Sequence, residues 1–265
     1  MTILLVGAGR MGSALLKGWL DRGVKSIAVV EPKPSAQLRK LAKAKKIALF
    51  AAPTAVKRKP SVCVVAIKPQ VLKGAAIALA EFAQGGALMI SIAAGTSIDG
   101  LTRAWGKKAR IIRAMPNTPG AIGQGITGLY AAKGVTAADK KRATSLLAAL
   151  GETVWVAKEE LIDSVTAVSG SGPAYLFLMA EALTEAGMAE GLPRDQAEKF
   201  ARATVSGAGA LLAADKSPAS ALREAVTSPG GTTAAALYVL MAEDGLMPLM
   251  KRAVRAARKR AEELR

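Results

Sequence analysis

The sequence predicts an α/β domain built on a doubly wound parallel sheet, followed by an all-helical domain. Three observations predict it. Short apolar runs alternate with stretches of helical period from Thr2 as far as Val156. The first run leads at once into Gly7-Ala8-Gly9-Arg10-Met11-Gly12. From Asp163 the strand signals stop, and Ala, Leu, Glu and Met dominate to Arg265. The boundary therefore falls near residue 162, giving domains 1–162 and 163–265.

Residues 3–6, ILLV, have the composition of a strand buried on both faces. Ala14, Leu15, Leu16, Trp19 and Leu20 then recur at helical spacing. Strand, G-x-G-x-x-G and helix in that order form a dinucleotide-binding fingerprint rather than a chance glycine-rich turn. Gly7 permits the tight turn and Gly9 lets backbone approach a pyrophosphate. Gly12 lets the helix pack on the strand with its free N–H groups aimed at the anion. Residues 26–30 read as the second strand, 35–44 as a helix and 47–50 as a short third strand. Residues 62–67 are a further buried strand, with Cys63 a core residue in it. A helix over 70–82, a strand over 87–92, a short helix over 98–105 and strands over 110–113 and 126–131 follow. A helix over 136–150 and a strand over 152–156 close the domain.

Ligands of such sheets sit at the carboxyl ends of the strands. That singles out the loops Lys68-Pro69-Gln70, Ala93-Ala94-Gly95-Thr96 and Ala114 to Gly120. In the second domain Asp163 reads as the N-cap of the first helix, and Ser169-Gly170-Ser171-Gly172-Pro173 predicts a kink within it or a gap for another backbone. Further helices are expected over 195–214, 219–226, 232–243 and 247–264. This alanine-rich set has few large side chains for a core of its own, which is explained if it packs against a second copy of itself.

Composition excludes several chemistries. The chain has no histidine and one cysteine, so Ser-His and Cys-His dyads, internal disulfides and cysteine-cluster metal sites are ruled out, and no metal is expected. No apolar run is long enough to span a membrane, and the chain starts directly on a strand, so a cytoplasmic protein is expected. The net charge is +17, all of it in residues 1–162, where 25 Lys and Arg face 8 acids. Few aromatics are interleaved and no groove-reading motif is present, so a field for an anionic cofactor and substrate is preferred to a nucleic-acid stripe.

Thr227-Ser228-Pro229-Gly230-Gly231-Thr232-Thr233 precedes a helix. Its unpaired N–H groups suit a carboxylate, with a threonine hydroxyl beside it. The same residues also make an ordinary Ser/Thr cap with a Pro-Gly turn. Lys68 reads as a cofactor-side or capping lysine in preference to a catalytic acid. Trp155 and Tyr175 read as packing residues. Glu31 ends the second strand, where an acid binds the ribose hydroxyls of NAD and repels a 2′-phosphate. Lys33 and Ser35 follow it, and Arg10 lies in the loop.

The chain resembles the pyrroline-5-carboxylate reductases, which catalyse the last step of proline biosynthesis. The resemblance runs nearly end to end. It rests on Gly7 to Gly12, Ala66-Ile67-Lys68-Pro69-Gln70, Ser91 to Thr96, Arg113 to Pro119, Asp163 to Tyr175 and Ser228 to Thr233. It implies a Rossmann domain and an all-helical dimerisation domain whose helices interleave with those of a second subunit, in a homodimer or a ring of dimers. It also implies NADPH or NADH as cofactor and a small-molecule substrate, with neither nucleic acid nor membrane as partner. By position, Gly7, Ala8, Gly9, Arg10, Met11 and Gly12 would hold the pyrophosphate, with Glu31 and Lys33 at the adenosine end. Ala66, Lys68 and Pro69 would lie along the cofactor, and Met115, Pro116 and Asn117 would border the nicotinamide. Ser228, Gly230, Gly231, Thr232 and Thr233 would surround the substrate, with Thr233 on its ring nitrogen as the catalytic contact. Ala52-Pro53-Thr54 departs from the family, where an Asn near the fourth strand helps hold the adenosine. A related imine or hydroxyacid reductase is the alternative. The hydroxyacid enzymes place a lysine after their glycine-rich helix start, and none follows Gly170-Ser171-Gly172 here.

Overall fold

The computed structural model describes residues 2–264. Eight strands form one sheet in the order β3-β2-β1-β4-β5-β6-β7-β8. They are β1 (Ile3–Val6), β2 (Ile27–Val30), β3 (Ala48–Phe50), β4 (Val62–Val65), β5 (Leu88–Ser91), β6 (Arg110–Met115), β7 (Gly125–Ala131) and β8 (Gly151–Trp155). Between them lie α1 (Arg10–Asp21), α2 (Ala36–Lys43), α3 (Pro69–Gln84), α4 (Ile98–Trp105) and α5 (Ala137–Leu147). β1, β2, β4 and β5 are buried along their whole length, as strands covered by helices on both faces must be.

The two faces carry separate cores. Ile3 and Leu5 of β1 meet Leu15, Leu16 and Trp19 of α1, Leu38 of α2 and Leu146 of α5. Leu4 and Val6 point the other way, toward Leu72 and Leu79 of α3 and Leu101 and Trp105 of α4. Each face buries a tryptophan whose indole N–H is satisfied, Trp19 by the Leu146 carbonyl at 2.8 Å and Trp105 by the Ala76 carbonyl at 3.1 Å. Cys63 is fully buried in β4, and burial pushes its thiol pKa up, so it is inert packing.

The sheet is not parallel throughout. β7 pairs antiparallel with β6, and β8 then runs parallel to β7. The connection from Met115 to Gly125 holds only a short 3-10 turn, Thr118–Ile122, and without a crossover helix the returning strand must reverse. β6 is also two residues longer than its apolar run, and β4 stops at Val65, freeing Ala66 and Ile67 for a loop.

After β8 come α6 (Leu161–Val165), a π-helical stretch (Thr166–Gly170), α7 (Gly172–Ala189), α8 (Arg194–Ala214), α9 (Ala219–Ala225), α10 (Thr232–Leu240) and α11 (Leu246–Glu263). Where Ser169 to Pro173 were expected to interrupt the helical pattern, the chain takes that π stretch and α7 opens after it at Gly172. Asp163 is not an N-cap. It lies in the first turn of α6, buried, because the chain already winds from Lys158, whose carbonyl accepts from the Leu161 N–H. α10 ends at Leu240, short of the expected 243.

Contacts divide the chain into two compact units: residues up to Gly170 together with those from Ala257, and Ser171–Ala256. α6 stays with the first because it packs on β6 and β7, where Val165 fills the space left open by Gly128. In the second unit α7 packs along α8, and the buried apolar residues described there are Ala197 and Ala201. Leu176, Phe177, Leu178, Leu211 and Leu212 are all more than half exposed.

Candidate active site

The sheet changes direction of winding between β1 and β4, and two loops meet at that switch point. Gly7 has φ +92°, and a Cβ there would lie 2.7 Å from the Ala66 carbonyl oxygen and 2.6 Å from Ile67. Only glycine fits. A Cβ on Gly12 would overlap the Gly7 carbonyl oxygen, so α1 sits hard against the turn. Gly9 has open space where its Cβ would be. It stands at the N-cap of α1, which has no side-chain cap and no acid in its first turn. Uncapped amides, open backbone and the exposed guanidinium of Arg10 suit a pyrophosphate, so the residues present fit a dinucleotide.

Glu31 faces this turn. Its carboxylate accepts from the Ala8 N–H at 2.9 Å through Oε2 and from the Lys33 N–H at 3.1 Å through Oε1. Glu31, Ala8 and Lys33 are thus brought together. Lys68 is exposed at the N-cap of α3, and its side chain makes no cap; Pro69 opens the helix. Beyond β6, Pro116 is buried and the Asn117 side-chain oxygen accepts from the Ile126 N–H at 2.9 Å, pinning the start of β7. The Met115 side chain lies against Gly170, where a Cβ would come within 2.8 Å of its Cε.

One ion pair braces these loops, and another lies at the far end of the sheet, where β6 begins. Arg113, buried in β6, pairs with Glu159 at 2.5 Å, and the same Glu159 oxygen accepts from the Ile98 N–H at 2.7 Å. Arg110 reaches Asp139 at 2.6 Å. Burial alone would raise the Asp139 carboxyl, but hydrogen bonds from the Thr136 N–H and hydroxyl and from Arg110 outweigh it, holding its pKa below the ordinary carboxylate value. Thr136-Ala137-Ala138-Asp139 is a capping box, a pattern present in the sequence; nothing local marks Glu159 as a partner of Arg113. Among the described residues no group of three or more His, Cys, Asp or Glu could hold a metal ion.

In the second unit, Ser228-Pro229-Gly230-Gly231 forms a turn closed by the Gly231 N–H on the Ser228 carbonyl at 3.0 Å, with Gly230 at φ +71°. Of the Ser/Thr cap with a Pro-Gly turn that is one reading of this stretch, the turn is present and the side-chain cap is not. Gly231 occupies the cap position of α10 and no side chain caps the helix. Thr232 and Thr233 open α10, Thr232 exposed and Thr233 half-buried. Trp155 packs on the sheet core and donates to the Thr144 hydroxyl, with Lys140 over its ring at 5.3 Å.

Comparison with known proteins gives a consistent assignment. Residues 159–264 match the family model for pyrroline-5-carboxylate reductase dimerisation, and residues 2–95 match that for NADP oxidoreductase, coenzyme F420-dependent. The pyrroline-5-carboxylate reductase of Pseudomonas aeruginosa is 38% identical over 263 residues, 99% of this chain and 96% of that protein. The structure of the enzyme from Coxiella burnetii superposes with a TM-score of 0.91 at 35% identity, covering 99% of this chain and 98% of that one. A Plasmodium falciparum pyrroline carboxylate reductase with NADP bound gives 0.83 at 27% identity, covering 100% and 98%. Identity at this level across both full lengths shows the family: this chain belongs to the pyrroline-5-carboxylate reductases.

Proposed function

We propose that the free amides at the start of α10 hold the substrate carboxylate while Thr233 addresses the ring nitrogen. The reaction is that of an NAD(P)H-dependent pyrroline-5-carboxylate reductase, giving L-proline. NADPH or NADH supplies the hydride when bound. The observation that carries the reading is that α10 starts at Thr232 behind two glycines with no side chain on its N–H groups. Such an end attracts a carboxylate through both its unpaired donors and the helix dipole.

The chemistry needs little more than placement. A protonated cyclic imine is already an electrophile. Hydride adds to the carbon of its C=N bond, the π pair passes to nitrogen, and a neutral amine results. No oxyanion forms, so no histidine or lysine is required to quench one. Thr233 orients the nitrogen, and Ser228, Gly230, Gly231 and Thr232 shape the pocket around the carboxylate. Gly7, Ala8, Gly9, Arg10, Met11 and Gly12 would hold the pyrophosphate, and Ala66, Lys68 and Pro69 the flank. Met115, Pro116 and Asn117 would border the nicotinamide. We assign 1–162 to cofactor binding and 163–265 to dimerisation and substrate binding. A reducing, cytoplasmic setting suits a chain whose one cysteine is a buried thiol.

Thr233→Ala tests the assignment. Turnover should fall about tenfold or more while the dissociation constant for NADPH stays within about twofold. Unchanged turnover would remove Thr233 from the mechanism. Glu31 and Lys33 bear on cofactor choice, and we read both donors as usable with Glu31 favouring NADH. Glu31→Ser should raise kcat/KM for NADPH relative to NADH by about tenfold, since it removes a carboxylate that opposes a 2′-phosphate. An unchanged ratio would show that Glu31 serves the Ala8 turn alone.

A further inference from the structure

We propose that Glu159, outside every motif that marks the cofactor site, is a positioning residue for the loops that border the nicotinamide end of the cofactor. The inference rests on the cofactor reading above. A single Glu159 oxygen receives the Ile98 N–H at 2.7 Å and the Arg113 guanidinium at 2.5 Å. Ile98 is the first residue of α4 and ends the loop that follows β5; Arg113 lies two residues before Met115, where β6 gives way to its own loop. Those two strands are neighbours, so their carboxyl ends open side by side on the crevice.

The α4 start already has a local cap, Ser97, whose hydroxyl accepts from the Gly100 N–H. Glu159 supplies what the local sequence does not: an acceptor for the first amide, fixed from 61 residues away. Arg113 neutralises the charge of that carboxylate and is itself buried. At its middle the same loop is held from another side, because Gly95 at φ +65° leaves room for Leu264, which a Cβ would meet at 2.8 Å. The loop thus depends on Glu159 for its exit into α4.

Removing Glu159 alone would strand a buried guanidinium and could unfold the protein, so the test removes both charges. Arg113→Met with Glu159→Gln keeps an acceptor for Ile98; Arg113→Met with Glu159→Leu does not. NADPH binding followed by fluorescence should stay within about twofold of the parent in the first variant and weaken about tenfold in the second, the scale of one lost hydrogen bond. A purely structural role would lower both melting temperatures and leave the dissociation constants together, and that result overturns the proposal. In the unaltered protein, NADPH should slow amide exchange across residues 93–97 by about tenfold or more; unchanged exchange there also overturns it. Parent protein that binds neither NADPH nor NADH would overturn the cofactor reading and this inference together. Parent binding with unaltered variants overturns this inference only.

Discussion

Asp139 shows how one side chain can serve a helix end and the sheet at once. Its carboxylate closes the capping box with Thr136 and receives Arg110 from β6. Because its folded pKa is depressed, the stability it contributes is fully present above the ordinary carboxylate range and is lost as pH falls through the folded value. Asp139→Asn should therefore cost about 1–2 kcal/mol at neutral pH. That deficit should shrink below about pH 4, where the parent loses its advantage. Urea midpoints of both proteins across that range check it; a constant deficit would contradict the account. At this scale the sequence was readable wherever the contact is local. Gly7 and Gly12 announced the turn, and their crowding against Ala66, Ile67 and the Gly7 carbonyl is the physical reason for the motif. Arg113 and Glu159 lie 46 positions apart and carry no local signal, so only the folded chain pairs them.

At the scale of elements, most strands and helices follow from apolar period and punctuation, and the discrepancies have identifiable causes. The reversal of β7 was implicit in the lack of any helical stretch between residues 113 and 126, since a parallel return needs a crossover. The early start of α6 hid behind Asp163, whose residue type suggests a cap and whose place inside the first turn excludes one. The loop after β5 gives the sharpest prediction here. Gly95→Ala would force an L side chain into φ +65° and against the Leu264 backbone. It should cost about 1–2 kcal/mol, read as a melting point lower by several degrees. Ending the protein before Leu264 in the same variant should recover only the steric part. Full recovery would mean that backbone strain plays no role.

For the whole molecule, the decisive fact is the poverty of the helical unit's interior. Phe177 is 64% exposed, Leu211 55% and Tyr238 85%, while the buried apolar residues described in that unit are two alanines. A set of helices so constituted offers little to offset its ordering entropy alone, in keeping with its match to the dimerisation family model. Phe177→Glu with Leu211→Glu should sediment as a monomer and lose most reductase activity, whereas a dimer of normal activity would place the interface elsewhere. The thinness of this core was legible in composition alone. The partner surface was not, because no periodicity within one chain specifies which helix face meets another subunit.

A crystal structure of the protein with NADP+ and L-proline would test the account at its centre. The predicted result is proline with its carboxylate on the N–H groups of Gly231, Thr232 or Thr233 and its nitrogen within hydrogen-bond reach of the Thr233 hydroxyl. Proline bound in the presence of cofactor with the start of α10 facing solvent would contradict it.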